Sequence, residues 1–188
     1  MRNRLLIPAA LACGLLLLTT ACQLWNPGGT TYVDKKGRFH LRAPVGWHYA
    51  TKLGADFLAT KDGPVLQQIW VDHRELKDAL PNSKRPLPET LGVFELAEAV
   101  AGDLQIDRTL AAFELKENVP ATLGGRDAFK ITFTYRTAEK LHLSETVYGC
   151  IAGGRLWLLR YRAPVRHYFA RDYTVFEETA QTFRFGRT

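Results

Sequence analysis

Phe129-Lys130-Ile131-Thr132-Phe133-Thr134-Tyr135-Arg136 (FKITFTYR, residues 129–136) alternates apolar and polar at every step. Successive side chains on a strand point to opposite faces, so Phe129, Ile131, Phe133 and Tyr135 share one face and the polar residues share the other. Such a strand belongs to a sheet with one face buried and one wetter, the usual signature of antiparallel pairing.

Working outward, the same half of the chain repeats the pattern. Phe113, Leu115 and Val119 alternate with Glu114, Lys116 and Asn118 ahead of Leu123-Gly124-Gly125. Beyond residue 136, Leu141–Ile151 and Arg155–Ala163 flank Ala152-Gly153-Gly154, a hairpin signal. Pro164 ends that strand and opens a helix whose stripe is Phe169, Tyr173, Phe176, Ala180 and Phe183, with Arg184–Gly186 as a short terminal strand.

Upstream, Asp34-Lys35-Lys36-Gly37 and Lys61-Asp62-Gly63-Pro64 each sit between strand-like runs and predict two hairpins. Arg74–Pro88, with three prolines, reads as a long surface connection. From about Thr90 the period changes to that of a helix. Leu91, Phe94, Ala97, Ala101 and Leu104 form its stripe, widened by Val93, Leu96 and Val100. Hairpin, hairpin, helix, four strands, helix is not βαβ alternation. It predicts a single α+β domain: a largely antiparallel sheet packed by two main helices in an α/β/α sandwich.

The N-terminus reads differently. Arg2 and Arg4 precede an apolar run from Leu5 to about Leu18, then Thr19, Thr20, Ala21 and Cys22. A basic start, a short apolar core and small residues are the layout of an export signal. Pro8 and Gly14 interrupt the run, which is shorter than the roughly 20 residues a spanning helix needs. The segment resembles the lipobox of bacterial lipoproteins, with Leu18 one position earlier than the box usually places its leucine. That resemblance implies a diacylglyceryl group on the Cys22 thiol and Cys22 as the mature N-terminus, with Cys13 in ALAC as the rival site. Gln23 after the cysteine implies an outer-membrane destination facing the periplasm if the source is Gram-negative. The expected organisation is a signal peptide over 1–21, a tether over 22–31 and a domain over 32–188.

Removal of 21 residues would leave 167 and, since Arg2 and Arg4 go too, a formal charge of +4. That is too modest for nucleic-acid binding and favours an anionic membrane surface. With Cys13 removed and Cys22 acylated, Cys150 has no partner within the chain, so no intramolecular disulfide is expected.

No reactive constellation emerges. The chain has two serines, Ser83 and Ser144, neither in a nucleophile motif. His40, His48, His73, His142 and His167 lack metal-ligand spacing, so no metal or cofactor is expected. Cys150 reads as an inert core thiol. The chemically suggestive feature is arginine beside aromatics. Arg160 and Arg162 share a strand face, and Arg155, Arg166 and Arg171 lie just beyond its ends; of these Arg160, Arg162 and Arg166 are the candidate anion or partner contacts. Trp157 and Tyr161 fall on the opposite face.

The element order resembles the PsbP/DcrB-like domains. The likeness rests on an N-terminal hairpin followed by Pro44-x-Gly46-Trp47, a mid-chain helix, the G-G-R-x-A-F sequence of Gly124–Phe129, and a final amphipathic helix ending Thr182-Phe183-Arg184-Phe185. It covers about residues 31–186 and implies the same sandwich. It also implies an accessory or interaction module without catalysis, with no shared active-site motif to carry onto these residues. The resulting expectation is a non-catalytic, lipid-anchored envelope protein with a protein partner; the alternative is a module binding a small anion, such as a lipid headgroup or glycan, and a hydrolase using Cys150 or carboxylates comes last.

Overall fold

The computed structural model describes residues 24–51 and 53–186. The leader and Cys22 lie outside the described residues, as do Arg187 and Thr188. Strands β1 (Asn26–Pro27), β4 (His48–Ala50), β5 (Phe57–Thr60), β6 (Gln68–Glu75), β7 (Ala111–Leu123), β8 (Arg126–Arg136), β9 (His142–Ala152) and β10 (Arg155–Pro164) build one antiparallel sheet. Its order is β1-β4-β5-β6-β10-β9-β8-β7. A second sheet joins β2 (Thr31–Val33), β3 (Phe39–Arg42) and β11 (Arg184–Phe185) in the order β11-β3-β2. The helices are α1 (Val93–Gln105) and α2 (Ala170–Thr182).

The large sheet is the middle layer, and strand alternation divides its side chains between two cores. Phe129, Ile131, Phe133 and Tyr135 lie together on the α1 face with Leu156, Leu158 and the helix residues Leu96, Ala97 and Val100. Trp157, Leu159 and Tyr161 lie on the other face with Ile69 and Val71, under Phe176 and Ala180 of α2 and Phe39 and Leu41 of the small sheet. Each large apolar side chain removed from water contributes about 1.5–3 kcal/mol. The expected sandwich is therefore present, with the β2–β3–β11 sheet sharing the α2 face.

Four local differences have physical causes. Gly92 N donates to Glu95 Oε2 at 2.8 Å, which starts α1 at Val93 instead of Thr90. The first turn stands clear of the core, so Phe94 is 63 % exposed instead of lying on the buried stripe. In β7, register shifts at Ala111/Glu114 and Leu115/Glu117 break the expected alternation. Leu115 pairs with Phe133 on the α1 face, whereas Val119 pairs with Lys130 on the opposite one. The last helix does not open at Pro164. Arg166 and His167 are non-helical within Val165–Phe169, His167 at φ 74°, and regular turns begin at Ala170.

Arg74–Pro88 is more ordered than a surface connection. Ala79, Leu80 and Leu87 are buried in the α1 core. Asp103 of α1 accepts the backbone N–H of Asn82 at 3.1 Å and of Ser83 at 2.7 Å, clamping the segment to the helix. At the other extreme of the chain, Asn26 and Pro27 fall within the stretch read as a tether. They pair with Tyr49 and His48, so the sheet begins four residues after Cys22.

Candidate functional site

Three turns and the last strand meet at one end of the sandwich. In the β2–β3 turn, Asp34 Oδ2 accepts Lys36 N at 3.1 Å and Arg38 Nε at 2.7 Å, and Gly37 supplies φ 66°. Arg38 continues across to Asp56 Oδ1 at 2.7 Å and to His73 Nε2 at 2.9 Å. His73 Nδ1 meets Asp56 Oδ2 at 2.5 Å. The His73 ring stacks on Trp157 with centroids 4.9 Å apart, and the Arg38 guanidinium lies 5.7 Å from the same indole. The Arg38 hydrogen bonds outweigh burial and hold the Asp34 carboxyl below the usual carboxylate range, while the same bonds raise Arg38.

Above this floor lies a cavity of about 240 Å³ lined by Lys36, Arg38, Arg126, Arg155, Trp157 and Phe185, together with turn glycines and Ala152. Arg126, from the β7–β8 turn, stands 5.5 Å over the Phe185 ring. Arg155, from the β9–β10 turn, gives Nε to Glu75 Oε1 at 2.8 Å. No carboxylate lines the cavity among the described residues. Arg38 and Arg155 are matched by Asp34, Asp56 and Glu75, whereas Lys36 and Arg126 are exposed and have no ion-pair partner among the described residues. The recess can accept an anion at these two cations while an apolar or flat group rests on Phe185, which is backed by the buried Trp157.

The three arginines singled out from sequence are elsewhere: Arg160 and Arg162 meet over the Trp70 ring, and Arg166 stands apart from them. Arg160 is on the α1 face, with Nε donating to Glu145 Oε1 at 2.7 Å and its guanidinium 4.8 Å from the Trp70 ring. Burial works against the Arg160 charge, and Glu145 and Asp72 outweigh it, so its pKa stays above the ordinary value. Arg162 shares Trp70, at 5.5 Å. Arg166 is exposed in the bend before α2. Cys150 is 1 % exposed, and burial pushes its thiol up to about 12.

Sequence reasoning noted Arg155 beside the hairpin but passed over Lys36 and Arg126, which lie 90 residues apart in the chain. The only available signal was position: each stands within a residue or two of a glycine turn, where exposed recognition side chains collect. It also passed over a buried carboxylate, Asp172. This residue accepts Gln67 Nε2 at 3.0 Å and Arg171 Nε at 2.9 Å, and fixes the start of α2 to the β5–β6 turn.

No family model matches the chain, and no curated protein matches it. Solved structures do share its fold. LpqN of Mycobacterium tuberculosis, described as involved in cell envelope biogenesis, superposes with a TM-score of 0.56 at 14% identity, over 86% of this chain and 87% of that one. Cyanobacterial PsbP from Synechocystis gives 0.52 at 14% identity, over 89% and 95%. The Saccharomyces cerevisiae Ran-binding protein Mog1p gives 0.57 at 12% identity, over 85% and 96%. The chain thus has a PsbP/Mog1-like fold. At these identities the likeness carries architecture alone, and a fold does not dictate a function.

Proposed function

We propose that this chain is a non-catalytic accessory module of the cell envelope, held to a membrane through acylated Cys22 and acting by binding another envelope protein. The observation that carries it is the junction between the two parts of the sequence. An export-signal layout ends at Cys22, and the first paired strand begins at Asn26. Four residues extend at most about 14 Å, so an acylated Cys22 keeps the whole domain against its bilayer. Two or three acyl chains make such an anchor stable. Support for an envelope role comes from LpqN, described as acting in envelope biogenesis, and support for a binding role from Mog1p, described as Ran-binding. Among the described residues no helix is long and apolar enough to cross a membrane.

The test is mass spectrometry of the mature protein followed by affinity capture from solubilised membranes. A lipid mass on Cys22 and one stoichiometric protein partner are expected. An unmodified mature N-terminus removes the anchor, and capture without a partner removes the accessory role.

A second reading, a module for an anionic ligand, is favoured by one observation: the cavity with Lys36 and Arg126 over Trp157 and Phe185. That observation points to the loop end of the sheet, since the Arg160 guanidinium is already engaged by Glu145. A hydrolase using Cys150 has least support, because a thiol with a pKa near 12 is scarcely ionised at neutral pH.

A further inference from the structure

We infer that the loop end of the sandwich lies on the membrane, and that the recess between Lys36 and Arg126 takes the phosphate of an anionic phospholipid headgroup. The inference rests on the anionic-ligand reading and adds to it the ligand and the orientation of the domain.

Strand direction supplies the first step. β1 runs antiparallel to β4, with Asn26 opposite Tyr49 and Pro27 opposite His48. Leu24 and Trp25 therefore enter at the end where β4 passes into the 51–56 loop. That loop delivers Asp56 to His73, Glu75 pairs with Arg155, and Arg155 pairs with Ala152 across the Gly153–Gly154 turn. The point where the chain arrives from Cys22 and the cationic recess are thus at the same end of the sheet. Three strands separate β1 from β10. At about 4.8 Å per strand the recess is displaced roughly 19 Å sideways from the anchor, so one bilayer plane reaches both.

The character of that end supplies the second step. Leu24 is 45 % exposed and Leu53, in the 51–56 loop, is 41 % exposed. Beside the recess, the half-buried Phe185 ring, backed by the buried Trp157, offers an apolar wall to the glycerol and upper acyl region, while Lys36 and Arg126 face the phosphate. Asp127 follows Arg126 but, by alternation, belongs to the α1 face with Phe129, so it does not neutralise the recess. The opposite end, with the β8–β9 turn and the bend at Arg166, receives no tether.

The experiment uses the mature chain from residue 22 with Cys22→Ser, since every described element lies after residue 23. Vesicles of phosphatidylcholine with about 30 mol % phosphatidylglycerol are compared with phosphatidylcholine alone by sedimentation. Binding is expected to the anionic vesicles only and to weaken steeply with added salt. Lys36→Gln with Arg126→Gln is expected to lower the affinity about 30-fold, at roughly tenfold or less per cation. Arg136→Gln, an exposed cation at the far end of β8, is expected to change it less than twofold. Urea midpoints equal to the parent's establish that both variants are folded. Equal binding to both vesicle types, an unaffected double variant or an equal loss in Arg136→Gln overturns the inference. Glycerol 1-phosphate and inorganic phosphate are titrated separately. If they bind at the recess while anionic vesicles do not, the anionic-ligand reading stands and the membrane inference falls; if neither vesicle nor free phosphate binds, both fall.

Discussion

Glu145, 2 % exposed, accepts the Arg160 Nε–H at 2.7 Å in the middle of the sheet face beneath α1. Tyr135 and Trp70 enclose the pair, the Tyr135 hydroxyl lying 3.5 Å from Glu145 Oε2. Burial followed by the neighbouring Glu145 charge pushes the Tyr135 phenol up to about 12, so at neutral pH it is a neutral donor to the carboxylate. Removing one member strands the other charge in a poorly solvated layer. Glu145→Ala is expected to lower unfolding free energy by about 3–5 kcal/mol in urea titration, whereas Glu145→Leu combined with Arg160→Met recovers most of that loss. A single-variant loss under about 1 kcal/mol would show that water reaches the pair freely.

That pair marks where sequence reading stops. The shared face of Arg160 and Arg162 follows from period-two alternation, and the Gly153–Gly154 turn even sets the register that puts Glu145 opposite Arg162. The sandwich was legible for the same reason: FKITFTYR and the Phe169–Phe183 stripe each carry their period over several repeats. The bulges of β7 were not, because an extra residue leaves composition unchanged and only the partner strand reveals it. Nor was the recess, whose Lys36, Arg126 and Arg155 are assembled by sheet order and not by spacing along the chain.

The Asp34–Arg38 contact sets an acid limit on stability. Arg38 hydrogen bonding lowers the folded Asp34 pKa below its ordinary 3.8. The unfolded chain therefore binds more protons in that range, and stability rises with pH. The contribution is complete above the unfolded pKa and disappears as pH falls through the folded one. Urea unfolding between pH 2 and 6, in roughly half-unit steps, is expected to show a steeper acid loss for the parent than for Asp34→Asn. Parallel curves would remove Asp34 as the cause.

Cys150 is expected to resist alkylation. Its thiol is buried and held near 12 by desolvation, so the nucleophilic thiolate is scarce at neutral pH. In the Cys22→Ser mature chain, iodoacetamide labelling at pH 7.5 is expected to follow global unfolding and to become fast only in denaturing urea. Rapid labelling of native protein at a rate proportional to reagent would mean that β9 opens locally.

The last prediction concerns two glycines whose surroundings differ. At Gly186, a Cβ would fall 1.7 Å from the Gly37 carbonyl oxygen, because the chain after β11 crosses directly over the β2–β3 turn, and Gly186 N donates to Arg38 O at 2.7 Å. A methyl there has no room unless the terminal strand lifts. Lifting it would also move Phe185, whose ring stands 5.7 Å from Trp157. Gly102, three residues before the end of α1, has open space where its Cβ would be and an ordinary helical backbone. Gly102→Ala is therefore expected to stabilise the domain by about 0.5–1 kcal/mol through helix propensity and reduced freedom of the unfolded chain. Gly186→Ala is expected to destabilise it by about 2–3 kcal/mol and to shift tryptophan emission to the red as Trp157 gains water. Because the strand that lifts also forms the apolar wall of the recess, Gly186→Ala is expected to weaken binding to anionic vesicles while leaving Lys36 and Arg126 in place. Unchanged stability in Gly186→Ala would mean that β11 is not seated on the β2–β3 turn, and the recess would lose one of its walls.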